Sequence, residues 1–288
     1  MIPAPFDYEA PNTIEDALML LAQDPDSAKV LAGGHSLLPA MKLRLAQPAL
    51  LVDIARIKGL SYIREEGDRI LIGATTTHYQ IESSELLKRL CPLLPECAAS
   101  IGDVQVRNRG TIGGSLAHSD PAGDWPAAAI ALNADLVTVG PGGERTMKAD
   151  DFFVDLLTTA LQPGEILREI RINKPQGRFG QAYQKVRHPA SGFAVVGIAV
   201  NLKLASDSSC EFAGIGVTGV GAKAYRPAAV ETALVGKILD DQTIADASSH
   251  VCDGVDPNSD LYASGEYRCH LAQVHARRAI VAALARTK

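Results

Sequence analysis

The sequence predicts an α+β chain of two domains, and three of its features lead there. Apolar strands come in pairs about glycine turns, as in "YIREEGDRILIGA" (62–74) and "DLVTVGPGGERTM" (135–147), rather than alternating singly with helices. Helical patterns come in blocks. Between residues 173 and 180 the stretch "NKPQGRFG" is polar and carries a proline and two glycines, the composition of a linker.

Taken in order, "NTIEDALMLLAQ" (12–23) predicts a helix: Thr13 caps it, Asp16 follows three residues later, and Ile14, Leu18 and Leu21 share a face. "KVLAG" (29–33) predicts a short buried strand running into Gly33-Gly34, and "ALLVDIA" (49–55) another strand. Residues 62–74 form a hairpin turning at Glu66-Gly67-Asp68. Residues 79–101 have a helical pattern that Pro92 and Pro95 should break. "WPAAAIALNA" (125–134) predicts a helix, residues 135–147 a hairpin over Gly140–Gly143, and "EILREIRI" (165–172) a strand. Beyond the linker two long strands turn at Ser206–Ser209, and three helices follow. The last helix carries Leu271, Val274, Val281 and Leu284 at helical spacing, which predicts its buried face.

Composition narrows the function classes. Of 288 residues 47% are hydrophobic and 21% charged, and the mean hydropathy is +0.05, a globular balance. Lys and Arg number 28 against 33 acids, with no basic run, and aromatics are only 5%; both argue against a nucleic-acid surface. No apolar run approaches the ~18 residues of a membrane span. The opening "MIPAPFDYEAP" lacks a basic region followed by an apolar one, so a cytoplasmic location is expected. Five scattered cysteines without a CxxC pair read as reduced thiols rather than cluster or zinc ligands in this chain.

Two stretches carry chemistry. "AGGHS" (32–36) follows a strand, and "TIGGS" (111–115) repeats its grammar of paired glycines followed by a hydroxyl residue. Successive backbone N–H groups in a tight turn converge on anionic oxygens without needing a side-chain cation. Glycine serves such a turn by reaching positive φ and by letting the backbone approach closely. The two loops are therefore expected to hold one dinucleotide diphosphate, with positive φ at Gly114 and with Arg107 and Arg109 raising the local potential. Two ordinary turns, and arginines paired with surface acids, are the alternative.

"AGGHSLLP", "RNRGTIGGS", "YQKVR" and, near the C-terminus, "SGEYRCHLAQVHARRA" resemble the FAD-binding medium subunits of molybdenum hydroxylases, the xanthine dehydrogenase family. The resemblance runs essentially end to end. It implies an FAD-binding fold of the vanillyl-alcohol-oxidase type over residues 1–175, in two subdomains of roughly 1–55 and 56–175. A small α+β C-terminal flavoprotein domain over 178–288 follows. It places FAD against Lys29, Leu31, Ala32, Gly33, Gly34, His35, Ser36 and Leu37, against Ile101, and against Thr111, Ile112, Gly113, Gly114 and Ser115. Asp124 would accept from the adenosine side, and Leu161, Lys185 and Phe193 would line the cofactor. At 192–193 the chain departs from the family: Gly192 replaces an acidic residue, and Phe193 stands where some relatives place a tyrosine over the flavin.

The resemblance further implies a large molybdopterin subunit, a small subunit with two [2Fe–2S] clusters, an external electron acceptor and a dimer of heterotrimers. No residue of this chain is then a catalytic nucleophile or acid. A self-contained flavin oxidoreductase and a non-redox dinucleotide-binding module are the alternatives.

Three other patterns are set aside. "GIGVTG" (214–219) spells a Rossmann fingerprint but leads into "VGAKAYRP", not a helix, and alternates like a strand. His270 and His275 are five apart, which turns them to different helix faces. His118, Asp120 and Asp124 read as a loop bordering a cofactor rather than as a metal site.

Overall fold

The computed structural model describes residues 1–287 of the chain. The first unit is built from β1 (Asp7–Glu9), α1 (Ile14–Gln23), β2 (Ala28–Leu31), α2 (Leu37–Lys42) and β3 (Leu50–Asp53). Thr13 caps α1 through the Asp16 amide, as its sequence predicts. The three strands lie parallel in the order β1-β3-β2, with Leu31 opposite Asp53. Strand and helix therefore alternate in this unit, contrary to the expectation of hairpins throughout; each strand is too short to carry a recognisable two-residue period.

The second unit holds a five-stranded antiparallel sheet and a helical block. The hairpin β4 (Ile63–Glu66) and β5 (Arg69–Gly73) turns at Gly67, whose φ is +59°. There follow α3 (His78–Ser83), α4 (Glu85–Leu90), α5 (Leu93–Ala99), α6 (Val104–Arg107), α7 (Ile112–His118) and α8 (Asp124–Ala131). Pro92 lies at the predicted break, but Pro95 does not break its helix. It sits in the first turn of α5, where a missing N–H costs nothing, and the other break falls at Ser84, which caps α4.

The unit closes with β6 (Asp135–Gly140), β7 (Gly143–Lys148), α9 (Ala149–Phe152), β8 (Phe153–Asp155), β9 (Thr158–Thr159) and β10 (Ile166–Asn173). Its sheet order is β4-β5-β10-β6-β7. Trp125, Phe152 and Phe153 lie in its core with the alanines of α8.

After residue 177 comes an antiparallel meander of β11 (Arg178–Arg187), β12 (Ala194–Leu204) and β13 (Cys210–Thr218), then α10 (Ala228–Leu234), α11 (Asp241–Ser249) and α12 (Gly265–Ala285). "GIGVTG" is strand, as its alternation indicates. A Cβ on Gly214 or Gly216 would overlap the carbonyls of Ala131 or Ala127, so these glycines seat α8 against β13. The fully buried face of α12 is offset from the predicted one, of which Leu271 and Leu284 still pack half-buried against the core. It consists of Gly265, Arg268, Ala272, Ala276, Ala279, Ile280 and Ala283, while Val281 is 42% exposed. At Gly180 of β11 the helix lies too close for any side chain, since a Cβ there would overlap the Ala283 carbonyl.

Among the described residues no helix is long and apolar enough to cross a membrane.

Candidate functional site

The two glycine loops, some eighty residues apart in sequence, touch. A Cβ on Gly33 would overlap the Arg109 carbonyl and fall 2.8 Å from the Gly110 Cα. One on Gly114 would fall 3.7 Å from the Ala32 Cβ. Antiparallel pairing of Thr77 with Thr111 fixes the second loop, with Ile112 N–H donating to Thr76 O (3.0 Å) and His78 N–H to Gly110 O (3.0 Å).

The loops differ in what their amides do. In the first, the backbone N–H groups from Ala32 to Leu37 donate to no protein acceptor among the described residues; Leu38 is the first engaged, on Gly34 O at 3.1 Å. Gly34 takes φ +75°, and His35 Nδ1 donates to Gly33 O at 2.9 Å, pinning the turn. Six consecutive free donors in a half-exposed turn form the concave donor set that an anionic bridge requires.

In the second loop the amides of residues 112–115 are taken. Gly113 N–H donates to Ala74 O (2.9 Å), Gly114 N–H to Thr111 Oγ1 (3.2 Å) and Ser115 N–H to Thr111 O (3.0 Å). Gly114 is helical, without the positive φ expected of it. Its partner Gly113 is required for another reason, since its Cβ would sit 2.6 Å from the Ala74 carbonyl oxygen. The second loop thus supplies close approach and the Ser115 hydroxyl, and the first supplies the amides. The arginines add little to the loops: Arg107 Nε is bound to Glu82 (2.7 Å) and its guanidinium also reaches Ile101 O (3.1 Å), while Arg109 is exposed.

A second cluster lies around Asp124. The residue is 4% exposed, and its two carboxylate oxygens accept from Tyr183 Oη (2.5 Å) and Lys185 Nζ (2.8 Å). Burial raises the Asp124 carboxyl above its ordinary value, and Lys185 and Tyr183 oppose that shift. Lys185 Nζ also donates to Ser100 O at 3.0 Å, beside Ile101. Strand β13 holds the turn before Asp124, through Thr218 Oγ1 to Pro121 O and Gly123 O (2.7 and 2.8 Å).

Gly192 has φ +73°, a conformation that an acidic residue takes only with strain, and closes the turn from His188 to Phe193. A Cβ on it would face the Gly102 Cα at 3.8 Å, which brings the turn that carries Phe193, 46% exposed, beside the segment 101–102. The structure thus gathers Ile101, Asp124, Lys185 and Phe193 in one region and residues 32–36 with 111–115 in another. Leu161 packs against the domain core, and Lys29 is exposed on β2.

A buried pair joins the two regions, and sequence reasoning passed over it. Trp125, next to Asp124, donates its Nε1–H to His78 Nδ1 at 3.0 Å, and the far edge of that imidazole abuts Gly110. Nothing in spacing or periodicity links residues 78 and 125. Burial, helped by His35 and Arg107, pushes the His78 imidazole down to about 3.

Residues 4–175 match the family described as the FAD binding domain in molybdopterin dehydrogenase, and residues 181–283 match the CO dehydrogenase flavoprotein C-terminal domain. The chain is 42% identical over 289 residues to the carbon monoxide dehydrogenase medium chain of Hydrogenophaga pseudoflava, covering 99% of both chains. It is 38% identical to the nicotine 6-hydroxylase medium subunit of Paenarthrobacter nicotinovorans, covering 97% of this chain and 98% of that one. A solved structure of carbon monoxide dehydrogenase from Hydrogenophaga pseudoflava superposes with a TM-score of 0.97 at 42% identity, over 100% of both chains. The touching glycine loops and the two-domain match together place this chain in the family of FAD-binding medium subunits of molybdenum hydroxylases.

Proposed function

We propose that this chain holds FAD non-covalently with its diphosphate against the free amides of Ala32–Leu37, and passes electrons from [2Fe–2S] clusters to an external acceptor. The observation that carries the site assignment is the run of six unengaged N–H groups packed against a loop whose own amides are occupied. Ser36 and Ser115 add hydroxyl donors at its margins. Gly33 and Gly113 hold the backbones close enough that no side chain blocks the seam.

When bound, FAD supplies exchange between one-electron and two-electron donors and acceptors. The protein's part is to bind, orient and shield. The Lys185–Asp124–Tyr183 group sets a fixed, buried charge pattern beside Ile101. No side chain here is assigned a proton-transfer or nucleophilic step.

The partners in this reading are a large subunit carrying the molybdopterin cofactor and a small subunit carrying two [2Fe–2S] clusters, assembled as a dimer of heterotrimers in the cytoplasm. The family relationship supports the partners. The self-contained flavin oxidoreductase reading lacks a favouring observation.

The test is spectroscopic. The purified chain reconstituted with FAD should show flavin absorption that bleaches with reductant and returns with an acceptor, while oxidising no organic substrate until the two partner subunits are added. Substrate oxidation by the chain alone would contradict the assignment.

A further inference from the structure

The buried histidine between the two regions has a use beyond packing. Trp125 Nε1–H can only donate, so the His78 Nδ1 that faces it at 3.0 Å is the bare nitrogen and the ring proton resides on Nε2. His78 is 4% exposed, and its Nε2 donates to no protein acceptor among the described residues without being sealed from the surface. The ring's small accessible area therefore includes this N–H, which is open to an acceptor from outside the chain.

The direction of Nε2 says where that acceptor lies. A Cβ on Gly110 would fall 2.6 Å from Nε2, and the Gly110 Cα is in turn the atom against which Gly33 packs. The imidazole edge therefore reaches the seam between the glycine loops, and only glycine at 110 leaves it open. The charged and titratable neighbours there are His35 and Arg107, and Arg107 is already committed to Glu82.

Resting on the FAD reading above, we infer that the His78 Nε2–H, its tautomer fixed by Trp125, is a neutral donor to a phosphate oxygen of the dinucleotide held at Ala32–Leu37. Because the donor is an uncharged imidazole rather than an imidazolium, it acts without a pH switch.

The test uses the full chain labelled with ¹⁵N-histidine. The His78 resonances should report a protonated Nε2 and a bare Nδ1. Addition of FAD, and of ADP, which shares the diphosphate, should shift the Nε2–H signal and slow its exchange; riboflavin should not. His78→Phe should weaken FAD binding at least tenfold, whereas His78→Gln, which keeps a donor near Nε2, should lie much closer to wild type. An Nε2–H signal unchanged with FAD bound, or an equal affinity in His78→Phe, would overturn the inference and point to a water as the acceptor. Should His78→Phe fail to fold, the wild-type spectra decide alone. A wild-type chain that takes up no FAD would instead overturn the FAD reading itself.

Discussion

At the residue scale, chemistry is concentrated in side chains that are buried and matched to one partner. His78 shows how that shapes the response to pH. In the native state its imidazole stays neutral down to about 3, against an ordinary value of 6.5. Below pH 6.5 the unfolded chain takes up a proton that the native state refuses, so the contribution to stability falls as pH drops from about 6.5 toward 3. The slope approaches about 1.4 kcal/mol per pH unit in that window. Urea denaturation at pH 7 and pH 5 should therefore show a wild-type advantage over His78→Phe that shrinks at the lower pH. An advantage that does not change with pH would mean that the histidine is not held neutral. Neither His78 nor its partner Trp125 was legible as functional, because the contact joins a helix start to a helix forty-seven residues later and leaves no local pattern.

At the scale of elements, the strand–turn–helix from β2 to α2 is the working part. Its chemistry was legible because glycines after an apolar strand have few other uses, but the division of labour between the two loops was not. "AGGHS" and "TIGGS" read alike as strings. Only the pairing of residues 110–112 with 76–78 reveals that one set of amides is consumed and the other free. The element-level prediction is that Gly33→Ala keeps the fold but wedges the loops apart, since its methyl would overlap the Arg109 carbonyl. Far-UV circular dichroism should match wild type, while FAD affinity measured by flavin fluorescence should fall at least about tenfold, or 1.4 kcal/mol. Retained affinity would show that the approach of the loops is not what the site needs. Helix α12 teaches the converse lesson about pattern. Large apolar residues at helical spacing suggested one face, but the sheet approaches so closely at Gly180 that alanines form the contact.

At the scale of the molecule, the pieces are joined by arginines that span the sequence. Arg226 reaches Asp150 with two nitrogens (2.9 Å each), Glu231 (2.6 Å) and the Ile130 carbonyl (2.6 Å), and Arg286 binds Glu96 (2.7 Å) and the Gln181 carbonyl (2.7 Å). These bonds fix the C-terminal meander against the helices that carry Asp124. Arg226→Met leaves the half-buried Asp150 and Glu231 without their shared cation and should destabilise the protein by about 1.5–3 kcal/mol, the range for a lost hydrogen bond to a charged group. Calorimetry should show the single unfolding endotherm broadening or splitting; an unaltered endotherm would mean that the two halves are held together elsewhere. Such long-range pairs follow from topology, which the sequence pattern reached only as far as a two-part α+β chain.

The free amides of the first loop are the groups that would meet the cofactor. Hydrogen–deuterium exchange with mass spectrometry measures this directly, with and without saturating FAD. A peptide spanning residues 31–38 should gain strong protection, while the amides of 112–115, already paired, should change little. Flavin bound with no added protection at 31–38 would contradict the account.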